Sequence, residues 1–459
     1  MPEPTVTECL CAAFAAWGSA DLPAETIAAA QPLVADGVAV ALAGSLQTGP
    51  RILADHLREM GGAPAATAIG FGFRTSLVSA AYLNGTSMHV LDFEPMWSPA
   101  NHAVSTTLPA VLALAEARGA SGAEALTALV KGCEVQGLIR AASGQYLPKN
   151  IRFHPPGVVG VMGSAIAAGH LLGLDGPQLQ VALGIAGSRA GSLISNVGSM
   201  TKATHCGLAA ALGLEAALLA ARGFTAQRAI LDDAGAYGEV FFGQGLPADV
   251  LLGSRPPYRV VEPGYAVKLF PSQYATHFGI TAGLELHGRL PDPARIRAVR
   301  LVTPVMPYVD RPRPVDGLDG KFSLQYTAAC ALLDGRVTVD SFTDAARFRP
   351  EVERLLAALV LEQREEIGAN FETMHVELEV EQDDGRRLAA RCDKPRGAWG
   401  GPPLTPAAHR EKLRDCLDTV LAPPRAERCL ELAQGCHRLA PAQVGELMGL
   451  LGGVGARGA

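Results

Sequence analysis

The sequence predicts a mainly α-helical fold, with a large all-helical domain formed from both chain ends and a smaller α/β domain between them. Three observations support this prediction. The first 250 or so residues show one apolar helical segment after another. Alternating, β-branched segments begin only near residue 290, and after residue 403 the sequence returns to helical patterns.

The first part of the chain contains eight apolar segments that predict helices, and several of them end near a glycine or a turn. They are Thr5–Trp17, Pro23–Leu42, Thr75–His89, Thr106–Arg118, Gly122–Ser143, Val158–Leu172, Gly176–Ala190 and Gly207–Arg222. No convincing alternating strand appears among them. The chain contains 51 glycines, and small residues let helix backbones approach closely, so we expect a tightly packed helical body.

The middle part of the chain changes character. Ile296–Pro304 alternates and is rich in β-branched residues, which predicts a strand. His375–Glu381 and Arg386–Cys392 flank Asp383-Asp384-Gly385, a spacing typical of a β-hairpin. Helices are predicted between these strands at Phe322–Leu333 and Pro350–Val360.

Three late segments predict a return to the helical domain. They are Pro406–Leu421, Arg425–Ala433 and Pro441–Leu451. The predicted division therefore assigns residues 1–268 and 401–459 to the helical domain and residues 269–400 to the α/β domain.

Composition excludes several classes of protein. The formal net charge of −6 argues against a nucleic-acid binder with a broad basic face, so an anionic substrate needs a local cationic pocket. The nine cysteines are scattered and contain no C-x-x-C pair, which predicts neither disulfides nor a zinc or iron–sulfur site.

The termini and apolar runs predict a cytoplasmic protein. Met1–Thr7 lacks a basic segment followed by an apolar one, which a secretory signal would show. The apolar runs are rich in Gly and Ala, and none reads as an uninterrupted span of 18 residues. We therefore expect no membrane partner and no nucleic-acid partner.

Four of the eleven histidines occur in Gly-, Pro- and Thr-rich junctions where a helix is predicted to begin. They are His102, His154, His205 and His277. Taken singly, each is more often a capping or packing histidine. Two of the junctions also carry a lysine, Lys202 or Lys268, and helix N-termini attract carboxylates. The pattern therefore favours the binding of carboxylates at these junctions.

This set of residue types suits proton transfer next to a carboxylate. Histidine can remove or supply the proton near neutral pH, and lysines and helix N-terminal amides can stabilise the extra negative charge that results. A hydride-transfer enzyme is not predicted, because the glycine-rich stretch Gly157–Gly163 follows His-Pro-Pro instead of a strand.

A catalytic metal is a weaker alternative. Four neighbouring side chains offer ligand atoms: His89, Asp92, Glu94 and His102. However, the sequence contains no H-E-x-x-H motif, and Lys202 and Lys268 are unsuitable neighbours for a cation. The prediction is therefore an enzyme without metal or organic cofactor.

Five sequence blocks, in this order along the chain, resemble the signature blocks of the MmgE/PrpD superfamily. They are Leu91-Asp92-Phe93, His154-Pro155-Pro156-Gly157, Met200-Thr201-Lys202 through His205-Cys206-Gly207, Phe270-Pro271-Ser272-Gln273 through His277, and Phe322-Ser323-Leu324-Gln325-Tyr326. The family includes 2-methylcitrate dehydratase, cis-aconitate decarboxylase and iminodisuccinate epimerase. The resemblance implies a helical domain with an α/β lid domain, a homodimer and no cofactor.

The resemblance also implies the roles of individual residues. The implied catalytic residues are Asp92, His102, His154, Lys202 and Tyr326. The implied substrate-binding residues are His205, His277 and Lys268. His102 and His154 act as base and acid in an order left open, the lysines hold carboxylates with His205 and His277, Asp92 orients a histidine or lysine, and Tyr326 donates a proton or hydrogen bond.

One departure from the family pattern leaves the substrate open. Many members that resemble decarboxylases or dehydratases follow the first Asp with an Asp pair, and here Glu94-Pro95 stands in that place. The main hypothesis is a lyase that dehydrates or decarboxylates a citrate- or aconitate-like acid. The alternatives are an epimerase of a dicarboxylate, which needs two opposed acid/base groups, and an inactive binding homologue.

Overall fold

Helices dominate the structure, a computed structural model that describes residues 3–97, 99–146, 151–232, 235–401 and 404–453. The chain is 56% helical and 9% strand, which confirms the prediction of a mainly α fold. The helices up to residue 251 are α1 Val6–Ala16, α2 Ala24–Gly44, α3 Thr48–Met60, α4 Leu77–Val90, α5 Ala103–Arg118, α6 Gly122–Ala142, α7 Pro155–Leu172, α8 Gly176–Gly187, α9 Met200–Ala221, α10 Tyr237–Phe242 and α11 Ala248–Leu251.

The later helices surround a small sheet and then return to the helical body. They are α12 Thr276–His287, α13 Gly317–Gly320, α14 Leu324–Asp334, α15 Asp344–Arg347, α16 Pro350–Ala357, α17 Pro406–Leu417, α18 Pro423–Gln434 and α19 Pro441–Leu451. All predicted helices are present, most of them within about four residues of their expected ends, and the main exception is the start of α9. Helix α3 was not predicted, although its buried Leu53 and Leu57 lie four residues apart on one face.

Small residues allow the close helix packing that the glycine content predicts. A Cβ atom on Gly207 of α9 would lie 2.2 Å from the carbonyl oxygen of Tyr82 in α4. A Cβ atom on Gly85 of α4 would lie 2.7 Å from the Cα of Gly207. Neither position can accept a larger side chain without separating the two helices. This contact fixes the end of α4 against the start of α9, where several predicted site residues lie.

The two ends of the chain share one apolar core. Leu42 of α2 and Leu108 of α5 belong to the same buried cluster as Leu413 of α17 and Leu430 of α18. The late helices therefore pack on the early ones, as the prediction of a helical body built from both ends requires. The division at residues 268/269 and 400/401 stays a prediction, and residues 402, 403 and 454–459 lie outside the described residues.

The sheets comprise a short hairpin and a larger mixed sheet. The hairpin pairs β1 Ala66–Thr67 with β2 Arg74–Thr75 and was not predicted, because two-residue strands show no alternation. The larger sheet contains β3 Ile296–Pro304, β4 Leu359–Arg364, β5 Val376–Gln382 and β6 Arg387–Cys392, in the order β4-β3-β5-β6. Only the β3–β4 pair is parallel. Three of these four strands were predicted.

The fourth strand corrects the predicted helix Pro350–Val360. The helix ends at Ala357, and Leu359–Arg364 forms β4, with Val299 of β3 opposite Leu359. Pairing with the buried strand β3 outweighs the helical pattern, as tertiary contacts often do for short apolar segments.

The histidine junctions are partly confirmed. His102 and His154 are the N-cap residues of α5 and α7, and His277 is the second residue of α12. The expected start of α9 at Gly207 is wrong, because the helix begins at Met200 and its buried face already includes Ala203. His205 therefore lies inside the helix and not at its start.

Three helices are long and apolar enough to cross a membrane by length and composition alone: α2, α7 and α9. This corrects the expectation that no run reads as a span. Within their most apolar windows, 72%, 78% and 67% of the residues are buried inside the protein. Their apolar surfaces are thus largely covered by other helices of the same chain.

Candidate active site

The turn after α4 places two carboxylates at the centre of the candidate site. Asp92 has a φ of 49°, in the left-handed region that non-glycine residues rarely adopt. Its backbone N–H donates to the carbonyl of His89 at 2.9 Å, and its own carbonyl accepts from Lys268 Nζ at 2.7 Å. These bonds hold a conformation that costs energy locally, which is common at functional sites.

The Asp92 carboxylate binds two lysines. Lys202 Nζ donates to Oδ2 at 2.6 Å, and Lys268 Nζ donates to Oδ1. Burial by itself raises the pKa of Asp92, but the two ammonium groups outweigh it and hold the pKa well below its usual range. Burial lowers the pKa of Lys268 against the opposing attraction of Asp92. The pair of lysines carries one more positive charge than Asp92 neutralises.

Glu94 connects two histidines on the other side of the turn. His89 Nδ1 lies 2.5 Å from Glu94 Oε1, and His102 Nδ1 lies 3.0 Å from the same oxygen. Burial lowers the pKa of His89 to about 4, with Lys202 and His102 acting in the same direction and Glu94 opposing them. His89 Nε2 faces Lys202 Nζ at 2.9 Å, so neutral His89 accepts a bond from the ammonium group.

His154 and His205 form a second imidazole pair. Their Nδ1 atoms are 3.2 Å apart, so one ring donates a hydrogen bond and the other accepts it. Burial and the positive charge of Lys202 lower the pKa of His154 well below its usual range and that of His205 to about 4. Both rings are therefore neutral near pH 7.

These groups border a cavity of about 400 Å³. Five predicted site residues line it: Asp92, His102, His154, Lys202 and Lys268. Other lining residues come from the loop after α8 and from the α/β part of the chain, among them Ile194, Ser195, Val197, Gln273, Tyr274, Tyr308 and Arg311. The cavity thus combines a cationic wall, two imidazoles and an apolar rim, which suits a small anion.

Comparison with known proteins identifies the family. Family models for the MmgE/PrpD N-terminal domain and the MmgE/PrpD C-terminal domain match residues 10–248 and 270–438. The chain belongs to the MmgE/PrpD family. It is 35% identical to cis-aconitate decarboxylase of Mus musculus over 365 residues, which cover 76% of this chain and 74% of the relative.

Further relatives carry the same activity in their names. Cis-aconitate decarboxylase of Homo sapiens is 34% identical, with 78% of this chain and 76% of the relative covered. Cis-aconitate decarboxylase of Aspergillus terreus is 27% identical, with 91% and 90% covered. The prediction of an MmgE/PrpD-type lyase acting on a small polycarboxylate is confirmed. The epimerase and the inactive binding homologue gain no support.

Three predicted residues of this MmgE/PrpD protein do not line the cavity. His205 lies behind His154, and His277 is buried with Nε2 3.3 Å from the carbonyl oxygen of Ser272. Gln273, four residues before His277, occupies the cavity wall instead. The substrate-binding roles of His205 and His277 therefore stay predictions.

Tyr326 is also placed away from the cavity. Its hydroxyl donates to the carbonyl of Ser341, and its ring packs against Phe342 with centroids 6.1 Å apart. The residue is fully buried in the apolar core around the sheet. The predicted role of Tyr326 in catalysis stays a prediction, and Tyr308 lines the cavity.

Sequence reasoning omitted several residues that shape this site. His89 and Glu94 entered only as possible metal ligands or as a departure from the family pattern, although their spacing from Asp92 placed them on the same turn. Arg311 lines the cavity and donates from Nη2 to Val197 O at 3.1 Å. Lys321 is buried near the turn, and burial lowers its pKa to about 7. The last two are distant in sequence and carried no local signal.

Some of these side chains lie close enough together to share an ion. Among the described residues, three overlapping sets have ligand atoms within 4.8 Å: His89, His102 and His154; His89, Glu94 and Cys206; and Asp92, Glu94 and His102. Both ring nitrogens of His89 are already bonded, one of them to the Lys202 ammonium group, and both carboxylate oxygens of Asp92 bind lysine ammonium groups. An added cation would meet that charge directly, so the donor set fits a metal poorly.

Proposed function

We propose that this protein decarboxylates cis-aconitate. The observation that carries the proposal is the cationic wall of the cavity, where Lys202 and Lys268 share Asp92 beside His102. The relatives named for this activity support the choice of substrate. A substrate with three carboxylates needs an excess of positive charge, and this wall supplies one.

The reaction requires one proton and one site for negative charge. In cis-aconitate one carboxylate is carried by a methylene group, and two are carried by the carbons of the double bond. Breaking the bond between the methylene carbon and its carboxylate releases CO₂. The electron pair forms a new double bond to the central carbon, and the former double bond takes up a proton at its outer carbon. Negative charge builds up on the carboxylate beside that carbon.

His102 is assigned as the proton donor. Glu94 lies 3.0 Å from its Nδ1, which leaves Nε2 on the side of Asp92, 4.0 Å from Oδ1. Two carboxylates thus face the ring that gives up the proton. Lys202 and Lys268 stabilise the carboxylate on which charge develops, since preorganised cations in a water-poor site lower such barriers strongly. His154, kept neutral by its surroundings, contacts the substrate as a hydrogen-bonding group.

Proton NMR of the purified protein with cis-aconitate in D₂O tests the proposal. The expected product shows two protons on a new terminal methylene group and a single deuterium in the methylene next to a carboxylate. One CO₂ should be released per turnover, which is measured separately. His102→Asn should abolish the reaction. His56→Asn, a change at an exposed position on α3, is the matched control and should leave the rate unchanged.

Other acids in the same assay separate the remaining family reactions. Loss of water from 2-methylcitrate without CO₂ release would replace the proposal with a dehydratase. Deuterium at the α-carbon of iminodisuccinate with changed chirality would indicate an epimerase. No reaction with cis-aconitate at any pH between 6 and 8 would end the proposed assignment.

The same proposal includes assembly, location and cofactor use. We propose a homodimer that acts without metal, as the family resemblance implies, and a cytoplasmic location without nucleic-acid or membrane partners, as the composition and the N-terminal sequence indicate. Light scattering after size-exclusion chromatography should give twice the chain mass of 47.7 kDa. Activity should survive dialysis against a strong chelator, and a loss reversed by one added metal would contradict this part.

A further inference from the structure

A buried ion pair outside the cavity lining contacts the turn that carries Asp92 and Glu94. Lys412 of α17 donates from Nζ to both oxygens of Asp36 in α2, at 2.9 and 2.7 Å. The same ammonium group donates to the carbonyl oxygen of Phe93 at 2.8 Å and lies 4.2 Å from the centre of the Phe93 ring. Asp36 is fully buried, and Lys412 is nearly so.

Phe93 is the residue between the two functional carboxylates. Asp92 precedes it and binds Lys202 and Lys268, and Glu94 follows it and binds His89 and His102. Consecutive carbonyl groups of this turn thus each accept from a buried lysine: Asp92 O from Lys268 on the cavity side, and Phe93 O from Lys412 on the core side.

The left-handed backbone at Asp92 makes such support necessary. A non-glycine residue in this region gains stability by returning to an ordinary conformation, and it stays only when its surroundings fix it. A shift of the turn would move Asp92 and Glu94 together, and with them Lys202 and His102. Misplacement of reacting groups by about 1 Å can lower a rate about 10²-fold.

We propose that Asp36 and Lys412 are positioning residues for catalysis: the ion pair between α2 and α17 fixes the Phe93 carbonyl and thereby the geometry of Asp92 and Glu94. This inference rests on the proposed function for its kinetic test. A third residue, His409 of α17, also contacts this carboxylate, with its Nε2 3.0 Å from Asp36 Oδ2. The C-terminal helices, which contribute no lining residue among the described cavity residues, take part in catalysis through this contact.

Lys131 provides a control for the purely structural contribution of a buried lysine. Lys131 of α6 is also a buried lysine that donates to two carbonyl oxygens, those of Phe14 and Trp17, and lies 4.6 Å from the centre of the Trp17 ring. Its contacts do not include the turn. Lys131→Met therefore removes a comparable interaction without the proposed effect on the site.

The kinetic test compares Lys412→Met with Lys131→Met on the full-length protein. For Lys412→Met we expect kcat to fall about 10- to 100-fold with KM changed less than about threefold, because the groups that act in the transition state are misplaced while the cavity persists. Lys131→Met should retain kcat per folded molecule. Equal kcat losses in both variants, measured at equal folded fraction by near-UV circular dichroism, would overturn the proposal.

The double variant Asp36→Asn/Lys412→Met separates charge from position. If Lys412 acts only by neutralising Asp36, removing both charges should restore kcat. If it acts through the Phe93 carbonyl, as proposed, the double variant should fold more stably than Lys412→Met and still show the lowered kcat. Restoration of kcat to the wild-type value would contradict positioning.

An NMR signature reports on the turn independently of activity. The proton between His89 Nδ1 and Glu94 Oε1, separated by 2.5 Å, should resonate far downfield and disappear in Glu94→Gln. Lys412→Met should shift or broaden this signal, and Lys131→Met should leave it in place. If the wild-type protein shows this NMR pattern but does not decarboxylate cis-aconitate, only the proposed reaction is rejected. If the wild-type protein is active and Lys412→Met changes neither the NMR signal nor kcat, only the positioning role is rejected.

Discussion

Two buried carboxylates in this protein, Asp92 and Asp36, are both bound by lysines, but their charge balance differs. Asp92 accepts from two ammonium groups, those of Lys202 and Lys268. Asp36 accepts from one, that of Lys412. The first carboxylate borders the cavity, and the second is enclosed between α2 and α17.

The difference indicates that a buried contact between lysine and carboxylate can either fix the backbone or prepare a site for an anion. A balanced buried pair satisfies both charges and needs nothing further, so it can fix a backbone position. The lysine pair at Asp92 has one ammonium group more than that carboxylate neutralises, while the nearby Glu94 carboxylate contacts His89 and His102, so the pair can still bind a substrate anion. The cavity beside Asp92 is where a substrate carboxylate can supply that anion.

The largest effect is expected for Lys202→Met. Losing the surplus charge at the cavity wall should lower kcat/KM at least about 10³-fold, since a preorganised group that meets developing charge contributes this much in other enzymes. The loss should exceed that of Lys412→Met by about tenfold, because Lys412 acts only through the backbone. Steady-state kinetics on both variants checks this, and equal losses would show that Lys202 also serves only to hold the turn.

A smaller effect is expected on stability when each carboxylate is neutralised. Asp92→Asn leaves two buried lysines without a charged partner and should cost about 3–5 kcal/mol in the free energy of unfolding. Asp36→Asn leaves one lysine, which keeps its bond to Phe93 O, and should cost less. Urea unfolding at pH 7 measures both. Binding of cis-aconitate should raise the free energy of unfolding of Asp36→Asn. If both substitutions lower the free energy of unfolding by the same amount, the two sites do not differ in charge balance.

The sequence predicted the surroundings of Asp92 far better than those of Asp36. Asp92, His102 and His154 follow or precede helices whose apolar patterns are strong, and Lys202 lies in the first turn of another. Such local signals survive in a single sequence, and the family resemblance joined them into one site. The helical body and the strands Ile296–Pro304 and Arg387–Cys392 were predictable for the same reason of clear periodicity.

The remaining features depend on long-range contacts that local pattern does not contain. The pairing of Asp36 with Lys412 joins residues 376 positions apart. Whether Gln273 or His277 faces the cavity depends on where α12 begins relative to the preceding turn. Strand β4 was misread because its partner β3 is more than fifty residues away.

Substitution of Tyr326 tests directly whether this residue takes part in the reaction or only packs in the core. Because its hydroxyl bonds Ser341 O in the core, Tyr326→Phe should lower stability by about 1–3 kcal/mol, the cost of leaving a buried acceptor unpaired. The rate with cis-aconitate should stay within about threefold of wild type. Tyr308→Phe, at the cavity wall, is the comparison variant and should lower the rate more than it lowers stability. A rate loss of about 10²-fold in Tyr326→Phe would restore its predicted catalytic role.

The smallest predicted effect concerns the pH dependence of stability. Burial and then the charge of Lys202 lower the pKa of His205 from 6.5 to about 4. Between pH 6.5 and 4 the unfolded chain therefore binds a proton at His205 that the folded protein does not, so stability falls as pH decreases through this window. His205→Asn should remove about 1–2 kcal/mol of the loss between pH 7 and pH 5. Urea unfolding at both pH values measures it, with His56→Asn as the exposed control. If both variants keep the full wild-type loss, the pKa of His205 is not lowered in the folded protein.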